Sequence, residues 1–342
     1  MSRHVNIPVF IPHLGCPNQC VFCNQRTISG VREFDPDMLS DIIERALSTV
    51  CDDDEVEIAF FGGSFTGIDR DLMVRLLDVA YAYVKSGKVQ SIRCSTRPDY
   101  IDEEVLSILK SHGTRYIELG LQSTAENVLC ASKRGHTRED EIKACKMIVD
   151  HGFKLIGQMM IGLPQATKED ELETARFIIE VGASGARIYP TVVFRDTELC
   201  EMTKRGDYTP LSVEEAVERS ARVYSLFFEN GLDVIRIGLC SSENLSADST
   251  YYAGPNHPAL GEMVMNRFYY EKILEKASLL SLTQEDILKI KVARGALSKA
   301  IGQKKTNKNL LTKKLCIKGA VFEECDGLTM GEILCERYSG EK

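Results

Sequence analysis

Short apolar runs alternate with longer amphipathic stretches over the first 240 residues of the chain. The apolar runs have the length of buried strands, and the stretches between them repeat apolar positions every three or four residues, as helices do. Strands are predicted at residues 7–13, 56–62, 89–96, 115–122, 154–163, 186–193 and 232–239. Helices are predicted at or near residues 35–50, 69–87, 102–111, 138–151, 168–181 and 213–230. Such repeats are typical of a parallel sheet, and they predict an α/β fold with a partial (β/α)6-type barrel.

The alternation stops after about residue 245. A loop rich in glycine and proline follows, residues 259–303 have a mostly helical pattern, and a short strand pair is predicted around residues 316–322. Between them, residues 304–314 (KKTNKNLLTKK) form the only dense basic run. We therefore predict a core domain at residues 1–245 and a mainly helical C-terminal extension with a basic segment at residues 246–342.

The composition is that of a globular protein: 342 residues, 44% of them hydrophobic and 27% charged. The sequence shows neither a long apolar run nor the features of a signal peptide, so we expect a cytoplasmic protein without a membrane span. In that compartment the twelve cysteines are expected to be reduced thiols or metal ligands. The formal net charge of -8 gives no general electrostatic case for nucleic acid, although a local basic patch is compatible with it.

Three cysteines, Cys16, Cys20 and Cys23, follow the first predicted strand with the spacing C-x3-C-x2-C. A structural zinc site needs four ligands, and His13 is the nearby residue that could supply the fourth. A cubane iron–sulfur cluster held by only three thiolates leaves one iron open, and that iron can bind a substrate or cofactor directly. The spacing thus indicates a metal centre and leaves its type open between these two.

This spacing after a first strand, with Gly-Gly at the end of the second, resembles the radical S-adenosylmethionine (radical SAM) superfamily. The resemblance implies a partial TIM barrel whose Cys16, Cys20 and Cys23 hold a 4Fe-4S cluster, with the open iron chelating S-adenosylmethionine (SAM). It also implies the reaction: the reduced cluster passes one electron to the sulfonium, and the resulting 5'-deoxyadenosyl radical abstracts a hydrogen atom from the substrate. An electron donor such as ferredoxin or flavodoxin is then an expected partner.

The same resemblance implies SAM contacts at the first two strand ends. Phe22 matches an aromatic residue that packs near the adenine, although a core position is equally consistent with the sequence. Gly62 and Gly63 in GGSFTG match the segment that hydrogen-bonds the methionine amino group, and glycine lets a backbone approach a ligand closely. We assign Ser64 in the same turn to the SAM site as well.

At GLQS (residues 120–123) the chain resembles oxygen-independent coproporphyrinogen oxidases. Their glutamine contacts the ribose of SAM, which implies this role for Gln122, whose amide is both a donor and an acceptor. Arg134 in SKRGHT matches an arginine at the SAM carboxylate, which a planar guanidinium can pair with bidentately. Gln158 falls where those enzymes carry an aspartate to the ribose, so its assignment to the SAM site departs from their pattern.

A closer resemblance is to the radical SAM half of the Elongator catalytic subunit, a family that acts on the wobble uridine of tRNA. It covers about residues 5 to 245 and is carried by TRPDYI, LGLQS, KRGHT, MMIGLP, ARIYP and GDYTPLS. The Elongator pattern has a glutamate where this chain has Ser95, its cysteine spacing is longer, and its acetyltransferase domain has no counterpart here. The resemblance therefore implies the fold, SAM cleavage and a place for Ser95 in the SAM site, but not the acetyl chemistry.

Three further features have alternative interpretations. Arg97 and Asp99 in TRPDY form either an ion pair that fixes a loop or part of the site for SAM or substrate. His136 in RGHT is expected to cap the following helix rather than contact a ligand. The basic segment at residues 304–314 is either a solvated surface or a contact for the phosphate backbone of tRNA.

The leading hypothesis is an enzyme, namely a radical SAM enzyme of the Elongator-like branch that modifies a nucleoside in tRNA. A second hypothesis keeps the radical chemistry but assigns a porphyrin or another small molecule as the substrate. A third is a non-enzymatic protein that binds a metal or cluster through the cysteine loop, the loop after the first strand that carries Cys16, Cys20 and Cys23. The missing fourth ligand, together with Gly62, Gln122 and Arg134, favours an enzyme over the third hypothesis.

Overall fold

A seven-stranded parallel sheet is the centre of the computed structural model, which describes residues 3–11, 14–16, 20–24, 34–51, 53–239 and 250–338. Its strands are β1 (His4–Ile11), β2 (Glu55–Gly62), β3 (Ser91–Thr96), β4 (Thr114–Gln122), β5 (Lys154–Ile161), β6 (Gly185–Pro190) and β8 (Asp233–Ile237). They lie in the order β1-β2-β3-β4-β5-β6-β8, and all six pairings are parallel. This half-barrel confirms the predicted α/β fold, and all seven predicted strands are present.

Helices connect successive strands, and six of them pack on one face of the sheet. The connecting helices are α1 (Leu39–Leu47), α2 (Arg70–Lys85), α3 (Glu103–Ser111), α4 (Glu126–Ala131), α5 (Arg138–Asp150), α6 (Lys168–Glu180), α7 (Glu198–Arg205) and α8 (Val213–Glu229). Six of them correspond to the predicted helices. The sequence pattern missed α4 and α7, because segments of six and eight residues are too short to show a clear helical period.

The two faces of the sheet differ in polarity. Ile58 in β2, Ile92 in β3 and Ile117 in β4 face the helices and are fully buried in the main hydrophobic cluster. Because side chains alternate along a strand, the residues between them point to the opposite face, the inner wall of the half-barrel. Its polar residues include Glu57, Arg93, Glu118, Gln158 and Arg187.

An ionic network crosses this inner wall. Arg93 donates to Glu57 at 2.7 Å and to Glu118 at 3.0 Å. Arg187 lies 2.8 Å from the same Glu118 oxygen, and the Gln158 amide donates to the other Glu118 oxygen at 2.8 Å. Each buried carboxylate thus has a guanidinium partner and further hydrogen bonds, which offset the cost of removing it from water. The wall is polar but internally neutralised.

Most of residues 250–338 fold around a second hydrophobic cluster. The elements are β9 (Tyr251–Ala253), α9 (Leu260–Ser278), β10 (Ile287–Val292), α10 (Leu297–Ile301), α11 (Thr306–Lys314), β11 (Gly319–Glu324) and β12 (Ile333–Arg337). Strand β9 pairs with the short strand β7 (Val193–Phe194), whereas β10 lies between β11 and β12 in a separate sheet. Within the described ranges, no helix combines the length and the apolar character that crossing a membrane requires.

The helical prediction for residues 259–303 was wrong at β10. The segment ILKIKV alternates buried and half-buried positions, which is the period of a strand, and the lysines point away from the second hydrophobic cluster. The predicted domain boundary at residue 245 lies outside the described residues.

The capping prediction for His136 was also wrong. Thr137 is the N-cap of α5: its hydroxyl and the Asp140 carboxylate form a reciprocal capping box. His136 is instead fully buried, with its Nε2 3.0 Å from a carboxyl oxygen of Glu141. Burial and the charges of two nearby arginines lower the pKa of His136 to about 3, and burial raises the pKa of Glu141 to about 9. Both shifts in pKa favour the uncharged forms, a protonated Glu141 carboxyl and a neutral imidazole.

A buried ion pair fixes the loop that follows β5. Arg219 in α8 holds both carboxylate oxygens of Glu171 in α6, at 2.6 and 2.8 Å. The same carboxylate accepts the N–H of Gly162 at 2.7 Å, and Arg219 also donates to the carbonyl of Ala166. The pair therefore joins two helices to the segment GLPQAT at the carboxyl edge of the sheet.

Replacing Glu171 with glutamine should lower the free energy of unfolding by about 3 kcal/mol, since the buried Arg219 would keep only the half-exposed Glu215, 3.6 Å from its Nη1, as a counter-charge. The midpoint of urea unfolding measures this loss. Glu173→Gln is the matched control, because its carboxylate pairs with Arg176 on the same helix but is exposed. That variant should leave the midpoint nearly unchanged. Equal losses in both variants would contradict the role given to burial.

Glu141→Gln should remove a loss of stability that the wild type shows as pH rises toward 9. The pKa of Glu141 is raised in the folded state, so the folded chain keeps a proton that the unfolded chain has lost, and the unfolding free energy of the wild type falls as pH rises from the ordinary pKa of 4.5 to about 9. Glutamine keeps a donor for His136 and does not titrate. The unfolding free energy of both proteins is measured at pH 7, 8 and 9. The difference between the variant and the wild type should grow in favour of the variant by up to about 1.4 kcal/mol per pH unit. If the unfolding free energies of variant and wild type changed equally with pH, Glu141 would not be the titrating group.

Candidate functional site

The cysteine loop packs backbone against backbone on the loop that follows β2. The N–H of Gly63 donates to the carbonyl of Ile11 at 2.8 Å, and the N–H of Ser64 donates to the carbonyl of Leu14 at 3.2 Å. A Cβ atom on Gly63 would lie 2.1 Å from the Leu14 oxygen, and one on Gly15 would lie 2.2 Å from the Ser64 oxygen. Only glycine fits at these two positions. The first function of GGSFTG that the structure reveals is therefore to seat the cysteine loop.

Hydroxyl groups tie the same turn to the end of β3. Gly62 leaves β2 with φ of +112°, a conformation that favours glycine. The Ser64 and Thr96 hydroxyls are 2.8 Å apart, Thr66 lies 2.6 Å from Thr96, and Thr66 donates to the carbonyl of Tyr100. The Ser64 side chain is fully buried in this chain of hydrogen bonds, and its backbone N–H and carbonyl are bonded to Leu14 and Gly67.

Val21, between the second and third cysteines, is held on both sides. Its N–H donates to the carbonyl of Ser132 at 3.2 Å, and its carbonyl accepts the N–H of Leu199 in α7 at 2.8 Å. Phe22 is half-buried and packs against the cluster that Val21 and Leu199 share, as the core interpretation expects. Sequence reasoning missed this anchor together with α7; the available signal was Thr197, which caps that helix.

Two guanidinium groups lie against the thiol of Cys20. Arg134 Nη1 is 3.2 Å from its sulfur, and Arg97 Nη1 is 3.9 Å from it. Arg97 is also paired bidentately with Asp99, with both N–O distances at 2.9 Å, and it donates to the carbonyl of Arg134. Cys20, Arg97 and Arg134 are all more than nine-tenths buried. The structure therefore shows the Arg97–Asp99 ion pair, and it also shows that Arg97 contacts the cysteine loop.

The other two cysteines lie in the same loop. The N–H of Cys23 donates to the carbonyl of Cys20 at 3.0 Å and closes the turn between them. Burial raises the pKa of the Cys16 thiol, whereas the charges of Arg97 and Arg134 act in the opposite direction. Among the described residues no three His, Cys, Asp or Glu side chains converge as ligands of a single metal ion, and His13, the candidate fourth zinc ligand, lies outside them.

Gln122 and Arg134 meet above Gly120 at the end of β4. A Cβ atom on Gly120 would lie 3.1 Å from the Gln122 amide nitrogen and 3.4 Å from an Arg134 nitrogen. Gln122 adopts φ of +73° at a bulge between β4 and β5, which turns it out of the regular alternation. Its Oε1 and the Nε of Arg134 are buried, and neither has a hydrogen-bond partner in the described part of the chain.

Gln158 and Ser95 lie deeper, on the inner wall. Ser95 in β3 is half-buried and is the register neighbour of Glu118 in β4. The amide nitrogen of Gln158 donates to Glu118, so the ionic network of the wall orients this side chain. The structure thus brings Gln122 and Arg134 to the cysteine loop and sets Gln158 and Ser95 on the wall below it.

The donor set around Cys20 fits a bound iron–sulfur cluster with SAM. The thiols are the ligands that such clusters use, and the two guanidinium groups offset negative charge on the thiolates. The Gln122 Oε1 and Arg134 Nε atoms provide an acceptor and a donor without partners among the described residues. Buried polar atoms in that state are costly, and a ligand that bonds to both would relieve the cost.

Comparison with protein families matches two adjoining parts of the chain. Residues 10–178 match the Radical SAM superfamily, and residues 183–270 match the Radical_SAM C-terminal domain. Together these matches cover most of the chain.

Individual relatives agree with this assignment. The tRNA uridine(34) acetyltransferase of Methanocaldococcus jannaschii is 33% identical over 184 residues, which are 48% of this chain and 34% of the relative. Elongator complex protein 3 of Homo sapiens is 33% identical over 193 residues, 51% of this chain and 35% of that protein. The chain thus spans about a third of the length of these curated relatives.

Two solved structures share the fold. The archaeal Methanocaldococcus infernus Elp3 with an N-terminal deletion has a TM-score of 0.62 at 24% identity, covering 82% of this chain and 64% of that one. Coproporphyrinogen III oxidase from Escherichia coli has a TM-score of 0.50 at 18% identity, covering 67% and 54%. The resemblance to Elongator-type proteins expected from the sequence is confirmed. The chain is a radical SAM enzyme, a member of a superfamily whose cofactors are a 4Fe-4S cluster and SAM.

Proposed function

We propose that Cys16, Cys20 and Cys23 hold the 4Fe-4S cluster and that SAM binds beside it at the carboxyl edge of the sheet. The observation that carries the proposal is the surroundings of Cys20, a buried thiol flanked by Arg97 and Arg134. When both cofactors are bound, they supply the one-electron chemistry that yields a carbon-centred radical. The chain's own part is to hold the ligands, orient SAM and exclude water.

The polar atoms without partners define the proposed SAM contacts. The Nε of Arg134 would donate to the SAM carboxylate, and the Oε1 of Gln122 would accept a hydrogen bond from a ribose hydroxyl. Gln158 would contribute through its carbonyl oxygen, because its amide nitrogen already donates to Glu118, and Ser64 through the second lone pair of its backbone carbonyl, which accepts the N–H of Gly67. The remaining proposed contacts are Phe22, Gly62, Gly63 and Ser95.

For the substrate we propose a nucleoside in tRNA, modified by hydrogen abstraction followed by carbon-bond formation or rearrangement. Support comes from the relatives named as tRNA uridine(34) acetyltransferases, although their likeness to this chain covers only about a third of their length. Acetyl transfer is not part of the proposal. We place the enzyme in the cytoplasm, where thiols stay reduced and where ferredoxin or flavodoxin would supply the electron.

The basic segment is the proposed contact for the tRNA backbone. Residues 304–314 carry five lysines and no acidic residue. Lys304, Lys305, Lys313 and Lys314 are exposed, and these lysines form no ion pair with a described carboxylate. Asn307 fixes the segment, since its side-chain amide donates to the carbonyls of Asn266 and Ala300 at 2.7 and 3.1 Å. An anchored helix with unpaired cations suits a phosphate backbone.

Cys20→Ala should abolish cluster binding and SAM cleavage. After anaerobic reconstitution the wild type should hold about four iron atoms per chain and release 5'-deoxyadenosine when reduced in the presence of SAM. The variant should lose both, by more than the roughly 10- to 100-fold that loss of an outer-shell partner causes. Cys130→Ala, an exposed cysteine outside the loop, is the matched control. Iron and deoxyadenosine retained by the Cys20 variant would overturn the ligand assignment.

Replacing Lys304, Lys305, Lys308, Lys313 and Lys314 with glutamine should weaken tRNA binding and flatten its salt dependence. The slope of log affinity against log salt should fall by roughly one for each lysine that contacts a phosphate. SAM cleavage without tRNA should not change. The control is Lys289→Gln with Lys291→Gln, since these lysines of the small sheet are paired with Glu323 and Glu336. An unchanged slope would exclude the segment as the tRNA contact, and salt-insensitive binding of a porphyrin instead of tRNA would favour a small-molecule substrate.

A further inference from the structure

We propose that Arg97 is a positioning residue that sets the reduction potential of the cluster, by holding a partly compensated positive charge against the Cys20 ligand. The inference rests on the proposed function, because it requires that Cys20 is a cluster ligand. It differs from a SAM-binding role, since no contact between Arg97 and a cofactor other than through the cysteine sulfur is invoked.

The contacts of Arg97 leave its guanidinium a single orientation. Its Nε and Nη2 atoms pair with the two oxygens of Asp99, both at 2.9 Å, which fixes the plane of the group. Nη2 also donates to the carbonyl of Arg134, so Nη1 is the nitrogen that faces the Cys20 sulfur, at 3.9 Å. With 4% of its surface exposed, Arg97 has little water to screen its charge.

The segment that carries Arg97 is itself fixed. Thr96, the preceding residue, is bonded to both Ser64 and Thr66 of the loop that seats the cysteine loop. Pro98 begins a short 3-10 turn, whose N–H groups return to the carbonyls of Arg97 and Pro98. Tyr100, at the end of this turn, accepts the Thr66 hydroxyl at its carbonyl, so the residues on both sides of Arg97 are tied to the loop that seats the cysteine loop.

Arg97 and Arg134 contact the same Cys20 sulfur, but they differ in whether a guanidinium nitrogen remains available to a ligand. Every N–H-bearing nitrogen of Arg97 has a protein partner, whereas the Nε of Arg134 has none among the described residues. Arg134 is therefore the group available to SAM. The charge of Arg97 stays with the cysteine ligand, whether or not SAM is bound.

The charge argument gives the sign of the effect. One-electron reduction adds a negative charge to the cluster and its three thiolates, and a nearby cation stabilises the more negative form. Asp99 offsets part of the Arg97 charge, but its side chain is 23% exposed and lies on the side of the guanidinium away from Nη1. Removing Arg97 should therefore lower the reduction potential, and neutralising Asp99 should raise it.

The test is a reduction titration of the reconstituted holoenzyme with dithionite, followed by electron paramagnetic resonance of the reduced cluster. For Arg97→Gln, we expect an equilibrium constant of one-electron reduction about tenfold smaller than in the wild type, which is a shift of about -59 mV. For Asp99→Asn, the shift should have the opposite sign. A purely structural role would not move the two variants in opposite directions, because either change would only loosen the same loop.

Glu198→Gln is the matched control. Glu198 pairs with Lys133 next to Arg134, but both side chains are exposed, so loss of this carboxylate should not shift the potential. If Arg97→Gln fails to hold a cluster, Asp99→Asn decides alone, and a potential that is unchanged or lower overturns the inference. A wild type that holds no cluster overturns the proposed function, whereas a normal cluster with equal potentials in all variants overturns only the role of Arg97.

Discussion

The site depends on the close contact between the cysteine loop and the backbone of the neighbouring loop. Among the described residues of the cysteine loop there is neither helix nor strand, so its backbone groups must find partners elsewhere. They find them at Gly63, Ser64 and Ser132, and in the first turn of α7. Gly15 and Gly63 make this approach feasible, because any side chain there would collide with a carbonyl oxygen. The placement of the three thiols is thus fixed by glycine and by hydrogen bonds from three separate parts of the chain.

The inner wall meets a different constraint, that of charge. The inner face of the half-barrel carries charged and polar residues although it is buried. Each buried charge is costly without a partner. Glu118 supplies such a partner, because its carboxylate accepts hydrogen bonds from Arg93, Arg187 and Gln158. The apolar face carries the main hydrophobic cluster, so that the polar wall does not have to provide the packing that stabilises the sheet.

Local patterns were enough to predict the sheet and the positions of its functional loops. All seven strands follow from their apolar runs, and the cysteine loop and GGSFTG follow the first two of them at the carboxyl edge that parallel strands share. The misses have two causes. Strand β10 was missed because a strand period was overlooked within a helical pattern. The anchor at Val21 and the contact between Arg97 and Cys20 join residues far apart in the chain, and no local pattern encodes such a contact.

Convergence at one edge also creates a problem of assignment, because two arginines reach one sulfur. Sequence resemblance assigned Arg134 to SAM and left Arg97 between two interpretations. Hydrogen-bond capacity separates them: Arg97 is saturated by Asp99, Arg134 and Cys20, while Arg134 keeps a buried donor without a partner among the described residues. A saturated cation acts on its neighbours through its charge, and an unsaturated one can also bind a ligand. The aspartate two residues after Arg97 is therefore what assigns these two similar side chains to different tasks.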